Sequence, residues 1–283
     1  MSGAPHRFQG HTAVKAARSL PVPQAQRKWA GSGLTAAALA VLVVAHLVAL
    51  DSTEFQPALL VDGAQGMGKF VAEAFPPDLD WERVLKPSLE ATLVTLWIGL
   101  LGTTLSVPTA LLLAVLASTT STPHPLAYQS ARAVLSFFRA VPDVVFALIF
   151  VTAVGLGPFA GVLALICHNT GVMGKLWAEA MEESDQGPVQ ALATAGASRL
   201  QQTFHATIPL VVPQFVGLLL YRFDVNVRSS LVLGLVGAGG VGLLINQAIK
   251  SFQFDTMLTH IIVVLVLIVL VDQASALIRR KLA

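Results

Sequence analysis

The sequence predicts an all-α, polytopic membrane protein with six transmembrane helices, and three observations predict it. Of its 283 residues, 54% are hydrophobic and only 12% charged, against roughly a quarter charged in soluble domains. Mean hydropathy is +0.70. Uncharged runs of about 20 residues, the length that crosses a bilayer as a helix, recur along the chain. Backbone amides in hydrocarbon must be satisfied within their own segment, so these runs are expected to be helical. The same composition excludes a soluble enzyme, a disordered regulator and a disulfide scaffold, the last because Cys167 is the only cysteine.

The first run, Trp29 to Leu50, follows a basic tail over residues 1–28. Positions 1–30 hold five basic residues and no acid, whereas positions 51–90 hold eight acids against three bases. That asymmetry puts the tail in the cytoplasm. The run reads as a retained anchor, because no small-x-small cleavage site follows it. Residues 51–90 are too short, and too rich in Pro, Gly and acids, for an enzyme domain; they read as an extracytoplasmic loop with an interfacial helix. Residues 91–283 form the core, with spans expected at Ala91 to Ala117, Ala133 to Val154, Phe159 to Ala178, Ile208 to Ser230 and Met257 to Ile278. Residues 118–130 read as a polar inside turn. Arg279, Arg280 and Lys281 place the C-terminus in the cytoplasm as well, which requires an even number of crossings. Leu231 to Ile249 is therefore expected to be a re-entrant or broken helix rather than a seventh span.

Two glycine patterns mislead. Gly63 to Lys69 has phosphate-loop spacing, but Phe70 stands where a hydroxyl should hold magnesium, and the segment falls outside the cytoplasm. Gly237, Gly239 and Gly242 spell G-x-G-x-x-G without the surrounding βαβ unit a dinucleotide needs; close backbone packing is the simpler use. Gly157 and Gly161 likewise have the spacing of a close helix crossing.

The segment between the fourth and fifth spans carries more. Pro188 can open a helix, Val189 to Ala195 continue it, Gly196 permits a sharp turn, and Leu200 to Thr207 can form a second helix leading into Pro209. Two short helices joined at a glycine make a knob able to enter a groove on a partner, with small Ala191, Ala195 and Ala197 allowing close approach. Gln190-Ala191-Leu192, Gly196 and Ala206-Thr207-Ile208-Pro209 resemble the E-A-A, glycine and I-x-L-P signature of membrane subunits of bacterial ABC importers. Gln190 stands in the usual Glu place and leaves a neutral amide there. The resemblance narrows through Phe75-Pro76-Pro77-Asp78, Arg139-Ala140-Val141-Pro142-Asp143, Gly155 to Gly161, Tyr221 to Ser230 and Leu233 to Gly242, which look like the phosphonate-importer (PhnE-type) permease over roughly residues 60–283.

That resemblance implies a type I importer (MetI-like) fold with coupling helices at 188–208, in a bacterial inner membrane. It implies a homodimeric pore, two copies of an ABC ATPase carrying ATP and Mg, and an extracytoplasmic phosphonate- or phosphate-binding protein. This chain would bind no cofactor or metal, catalyse nothing, and meet lipid but no nucleic acid. Gln190, Ala191, Ala195, Gly196, Ala197 and Pro209 would contact the ATPase.

Charges within spans cost about 3 kcal/mol each by insertion scales, so each needs a partner or a watery path. The fifth span carries Arg222, Asp224, Asn226, Arg228 and Ser229. Helical spacing allows Asp224 to pair with Arg228 and Arg222 with Asn226, which leaves Arg222 without a countercharge. A phosphonate could meet that charge through the guanidinium fork; the alternative is a fixed ion network reaching the third span through Asp143. Arg139 and Asp143, four apart, read as a pair or as an inner gate, and Arg132 as a structural, snorkelling residue. His168 and Asn169 lie near the middle of the fourth span; His168 would satisfy a carbonyl or touch cargo, while His46 and His260 read as structural. Gly237, Gly239 and Gly240 could offer backbone N–H groups to an anion. Phosphite and inorganic phosphate are the near alternatives as cargo. An ion-coupled carrier or a lipid-head-group enzyme is the rival reading, the latter lacking any catalytic cluster.

Overall fold

The computed structural model of the protein describes residues 33–122 and 124–282. The basic tail, the Trp29 start of the first run and the Lys281 side chain lie outside the described residues. The chain divides into two units, residues 1–64 and 65–283. In the first, α1 (Gly33–Ser52) is apolar on every side, with Leu39, Val41, Leu47 and Val48 all exposed, as suits a single helix in lipid. Its 20 residues span ~30 Å at 1.5 Å each. The short α2 (Ala58–Asp62) follows.

The second unit holds the remaining helices. α3 (Ala64–Ala74) absorbs the phosphate-loop look-alike, so Gly66 and Gly68 are helical and cradle nothing. Phe70 packs edge-on against Phe254, ring centres 4.8 Å apart. A single π-turn over Trp81–Leu85 leads into α4 (Lys86–Ala117), whose inward face is Gly99, Gly102, Thr103, Ser106, Ala110 and Ala114. Such small residues let backbones approach where lipid offers no hydrophobic drive. α4 accordingly packs tightly on α7 (Pro158–Glu183), where a Cβ on Gly102 would lie 2.5 Å from the Cβ of Leu165.

The expected third span is not one helix. α5 (Pro125–Ala140) and α6 (Asp143–Val154) meet at 87°. Pro142 lacks an N–H and disfavours helical backbone at the residue before it; Val141 is extended, at φ −83° and ψ 122°. Both arms are apolar, so hydropathy alone merges them. The helix also begins earlier than expected: Pro125 occupies the first helical position, and only residues before it remain a turn. Among the described residues five helices are long and apolar enough to cross a membrane, six if the bent pair counts as one crossing.

α8 (Gln186–Thr194) and α9 (Arg199–Gln202) follow, then a π-turn over Thr203–Thr207 that runs into α10 (Ile208–Leu235). The chain breaks at 236–240 and resumes as α11 (Val241–Lys250), the broken helix expected there, before α12 (Phe254–Leu282). Trp177 of α7 stacks on Phe215 of α10, ring centres 4.7 Å apart, within a core of alanines from α4 and α7.

Candidate functional site

α10 supplies the polar heart of the second unit. Arg222, 9% exposed, donates from Nε to Oδ1 of Asn169 on α7 at 2.8 Å and from Nη2 to Oδ1 of Asn226 at 3.4 Å. Asn226 donates in turn to Thr103 Oγ1 on α4 at 2.7 Å, and Thr103 to the Gly99 carbonyl at 2.6 Å. Three helices are thus joined through one chain of hydrogen bonds. Among the described residues every hydrogen-bond partner of the guanidinium is neutral, and Asn169 keeps its buried Nδ2 without an acceptor. Asp143 is within electrostatic reach of Arg222 but makes no bond to it.

Arg228 donates from Nη2 to Oδ2 of Asp224, the pair expected four residues apart. Asp224 is buried and its Oδ1 has no partner among the described residues, while the Arg228 side chain is half exposed. Ser229 is half-buried and makes no hydrogen bond among the described residues; its neighbour Ser230 donates to the Thr95 carbonyl at 3.0 Å.

The expected Arg139–Asp143 pair does not form. The two residues lie on opposite sides of the α5–α6 break, so the four-residue helical spacing that would align them does not exist. Arg139 is exposed, and Asp143 instead accepts from the Val144 amide at 2.9 Å. His168 Nδ1 lies 3.1 Å from the Val141 carbonyl, which the break leaves free. His260 meets Ser88 at 2.6 Å, and His46 the Leu42 carbonyl at 2.9 Å.

The glycines after α10 serve close packing. Gly240 has φ +72°, and a Cβ there would lie 2.4 Å from Thr95 Oγ1, the same oxygen that accepts from the Val241 amide at 2.9 Å. Gly239 abuts Pro158, and Gly157 donates to the Gly237 carbonyl at 3.0 Å. Of the Gly157/Gly161 pair only Gly161 is crowded, by Ala238 and Ile98. The amides of Gly237 and Ala238 bond the carbonyls of Gly234 and Leu233, so these two are not free to meet an anion.

At the α8–α9 end, Asp185 caps α8 by accepting from Gly187 N at 2.9 Å, and Ser198 with Gln201 forms a capping box on α9. Between them Gly196 turns the chain at φ +86°. Gln190, Ala191, Ala195 and Gly196 are exposed, Ala197 is half-buried, and Pro209 sits in the first turn of α10. An open hollow of about 400 Å³ lies inside the elbow, lined by Leu192, Ala195, Gly196, Ala197, Gln201 and His205. Arg132, expected to be structural, ties the root of this knob. It donates to Glu182 at 2.9 Å and to the Ala117 carbonyl at 3.1 Å, and Glu182 also accepts from Thr119 N at 2.8 Å. Thr103 and Glu182 escaped the sequence reading because a threonine in a span and an acid near a span end are ordinary features; only their cross-helix partners distinguish them.

Residues 106–283 match the family described as binding-protein-dependent transport system inner membrane component. The phosphite transport system permease protein PtxC of Stutzerimonas stutzeri is 36% identical over 255 residues, 89% of this chain and 90% of that protein. The phosphate-import permease protein PhnE of Mycolicibacterium smegmatis is 38% identical over 239 residues, 84% of this chain, which spans only 44% of that relative's length. An inward-facing structure of the MetNI methionine ABC transporter aligns with a TM-score of 0.61 at 22% identity, over 73% of this chain and 99% of that one, a likeness of fold.

Proposed function

The chain belongs to the binding-protein-dependent transport system inner membrane components, and from that premise we propose that its cargo is a phosphorus oxyanion, a phosphonate first, with phosphite and inorganic phosphate next. The chain is a multi-pass inner-membrane permease subunit, a transport component rather than an enzyme, and hydrolysis of ATP belongs to a separate subunit. The observation that carries the cargo is Arg222, a buried guanidinium in a membrane-spanning helix whose hydrogen-bond partners are all neutral. With Arg228 and Asp224, α10 carries net positive charge between residues 222 and 228, and positive charge draws an anion. The names of the phosphite and phosphate relatives support the same class.

In this reading two copies form the pore, with both termini cytoplasmic. Two ATPase subunits holding ATP and Mg seat the α8–α9 elbow, and an extracytoplasmic binding protein delivers cargo to the opposite face. Closure of the ATPases moves the elbow, and α7 and α10, which run directly into it, tilt to open the path outward.

The test is uptake into proteoliposomes holding the permease, its ATPase and its binding protein. ATP-dependent uptake of methylphosphonate, phosphite or phosphate is expected, and uptake of methionine or sulfate alone overturns the cargo. Asn169→Asp retains the acceptor for Arg222 Nε and adds a countercharge. The complex should assemble and oxyanion uptake should fall; parental uptake would remove Arg222 from the argument.

A further inference from the structure

We propose that the face of α10 bearing Gln214, Tyr221 and Arg228 is the aqueous wall of the anion path, and that Arg228, held by Asp224, is the group that touches the oxyanion. This deepens the cargo reading above and rests on it.

These three polar residues recur every seven positions, close to two helical turns, so they share one face of α10. All three are exposed. From Gln214 to Arg228 the stripe runs fourteen residues, ~21 Å of helix, inside a segment long and apolar enough to span a membrane. A guanidinium turned toward hydrocarbon is strongly disfavoured, so such a face borders water or protein. α12 behaves differently: Ile262, Leu265, Val266, Val269 and Leu270, exposed on its middle turns, are all apolar, as lipid requires.

The geometry divides the work between the two arginines. Arg222 is buried with its fork turned into Asn169 and Asn226, and acts on an anion through its field. Arg228 spends one terminal nitrogen on Asp224, and its Nε and Nη1 make no hydrogen bond in the described structure. Nη2 carries a second N–H beside the one given to Asp224, and with its neighbouring nitrogen this leaves one edge of a half-exposed fork for two oxygens of a phosphorus oxyanion. Asp224 is a positioning residue: its buried carboxylate fixes the fork and offsets part of its charge. The cargo is then held weakly enough to leave, as conduction requires.

Single cysteines at Gln214→Cys, Tyr221→Cys, Leu265→Cys and Val269→Cys, in a Cys167→Ser background, test the wall in the reconstituted full complex. An anionic, membrane-impermeant thiosulfonate should modify positions 214 and 221 and spare 265 and 269, with inorganic phosphate slowing the reaction at 221. Failure to modify 214 and 221, or equal modification of all four, overturns the wall whatever the cargo. Protection by sulfate but not phosphate would instead overturn the phosphorus cargo and leave the wall standing. Arg228→Lys keeps the charge and loses the fork, and should lower phosphate uptake about tenfold, the worth of one charge-assisted hydrogen bond. Parental uptake by both Arg228→Lys and Arg228→Ala overturns the contact.

Discussion

Asn169 supplies the stronger hydrogen bond to Arg222, 2.8 Å from Nε, at a position with no exposed surface. Asn169→Leu therefore strands a buried guanidinium nitrogen, and should cost about 1.5–3 kcal/mol, the range for hydrogen bonds to charged groups. Thermal unfolding in detergent checks it. Gly240 and Gly155 separate crowding from backbone strain in the same assay. Both have positive φ, +72° and +94°, but a Cβ on Gly240 would strike Thr95 Oγ1 whereas one on Gly155 meets nothing within 4 Å. Gly155→Ala should cost only the ~1–3 kcal/mol of a backbone conformation, φ 94° and ψ 171°, that is essentially restricted to glycine. Gly240→Ala should cost about 1 kcal/mol more, because displacing Thr95 also frees the Val241 amide.

The elements that matter most are two bends. At the α5–α6 break, the backbone of α5 lies so close to α7 that a Cβ on Gly171 would sit 2.5 Å from Arg139 N. Backbone cannot move aside as a side chain can, so Gly171→Ala should destabilise by about 1–3 kcal/mol, as overpacking does. The same thermal measurement tests it. The α8–α9 elbow is the opposite case. Gly196 has open space around it, so Gly196→Val strains only the local turn, at φ +86°. The bundle's melting should shift little while co-purification of the ATPase subunit falls; undiminished co-purification would detach the elbow from coupling. Both bends involve residues visible in the sequence, but in different ways. Gly196 marked its own turn, since a helix start and a helix stop flank it. Pro142 did not, because apolar residues on both sides concealed a change of direction that a hydropathy average cannot register.

At the scale of the whole second unit, the segment just before the π-turn and α4 is tied to the first turns of α12. Thr259 donates to the Asp78 carbonyl at 2.7 Å, and the Asp78 amide reaches the Asp255 carbonyl at 3.4 Å. The Asp78 carboxylate accepts from Asp80 N and from Arg83, which hold its pKa below the ordinary carboxylate value, the backbone bond first. A depressed pKa contributes stability above the unfolded value, ~3.9, that is lost as pH falls through the lower folded value. The tied segment should therefore stay docked from neutral pH down to about 4 and loosen only below it. Fluorescence of Trp81, in a variant lacking the other three tryptophans, reports it; a transition near pH 6 would contradict the assignment.

The sequence by itself determined the helical class, the membrane, the elbow at Gly196 and the Asp224–Arg228 pair. Each follows from local rules: run length, capping residues and four-residue spacing. Only the tertiary structure decided that α5 and α6 part at 87°, that Arg139 and Asp143 therefore never meet, and that Arg222 turns inward while Arg228 stays open. The reason is that these outcomes depend on which face of a helix a neighbour covers. Residues 103 and 169, far from α10 in the chain, settle that for Arg222 by approaching it in space.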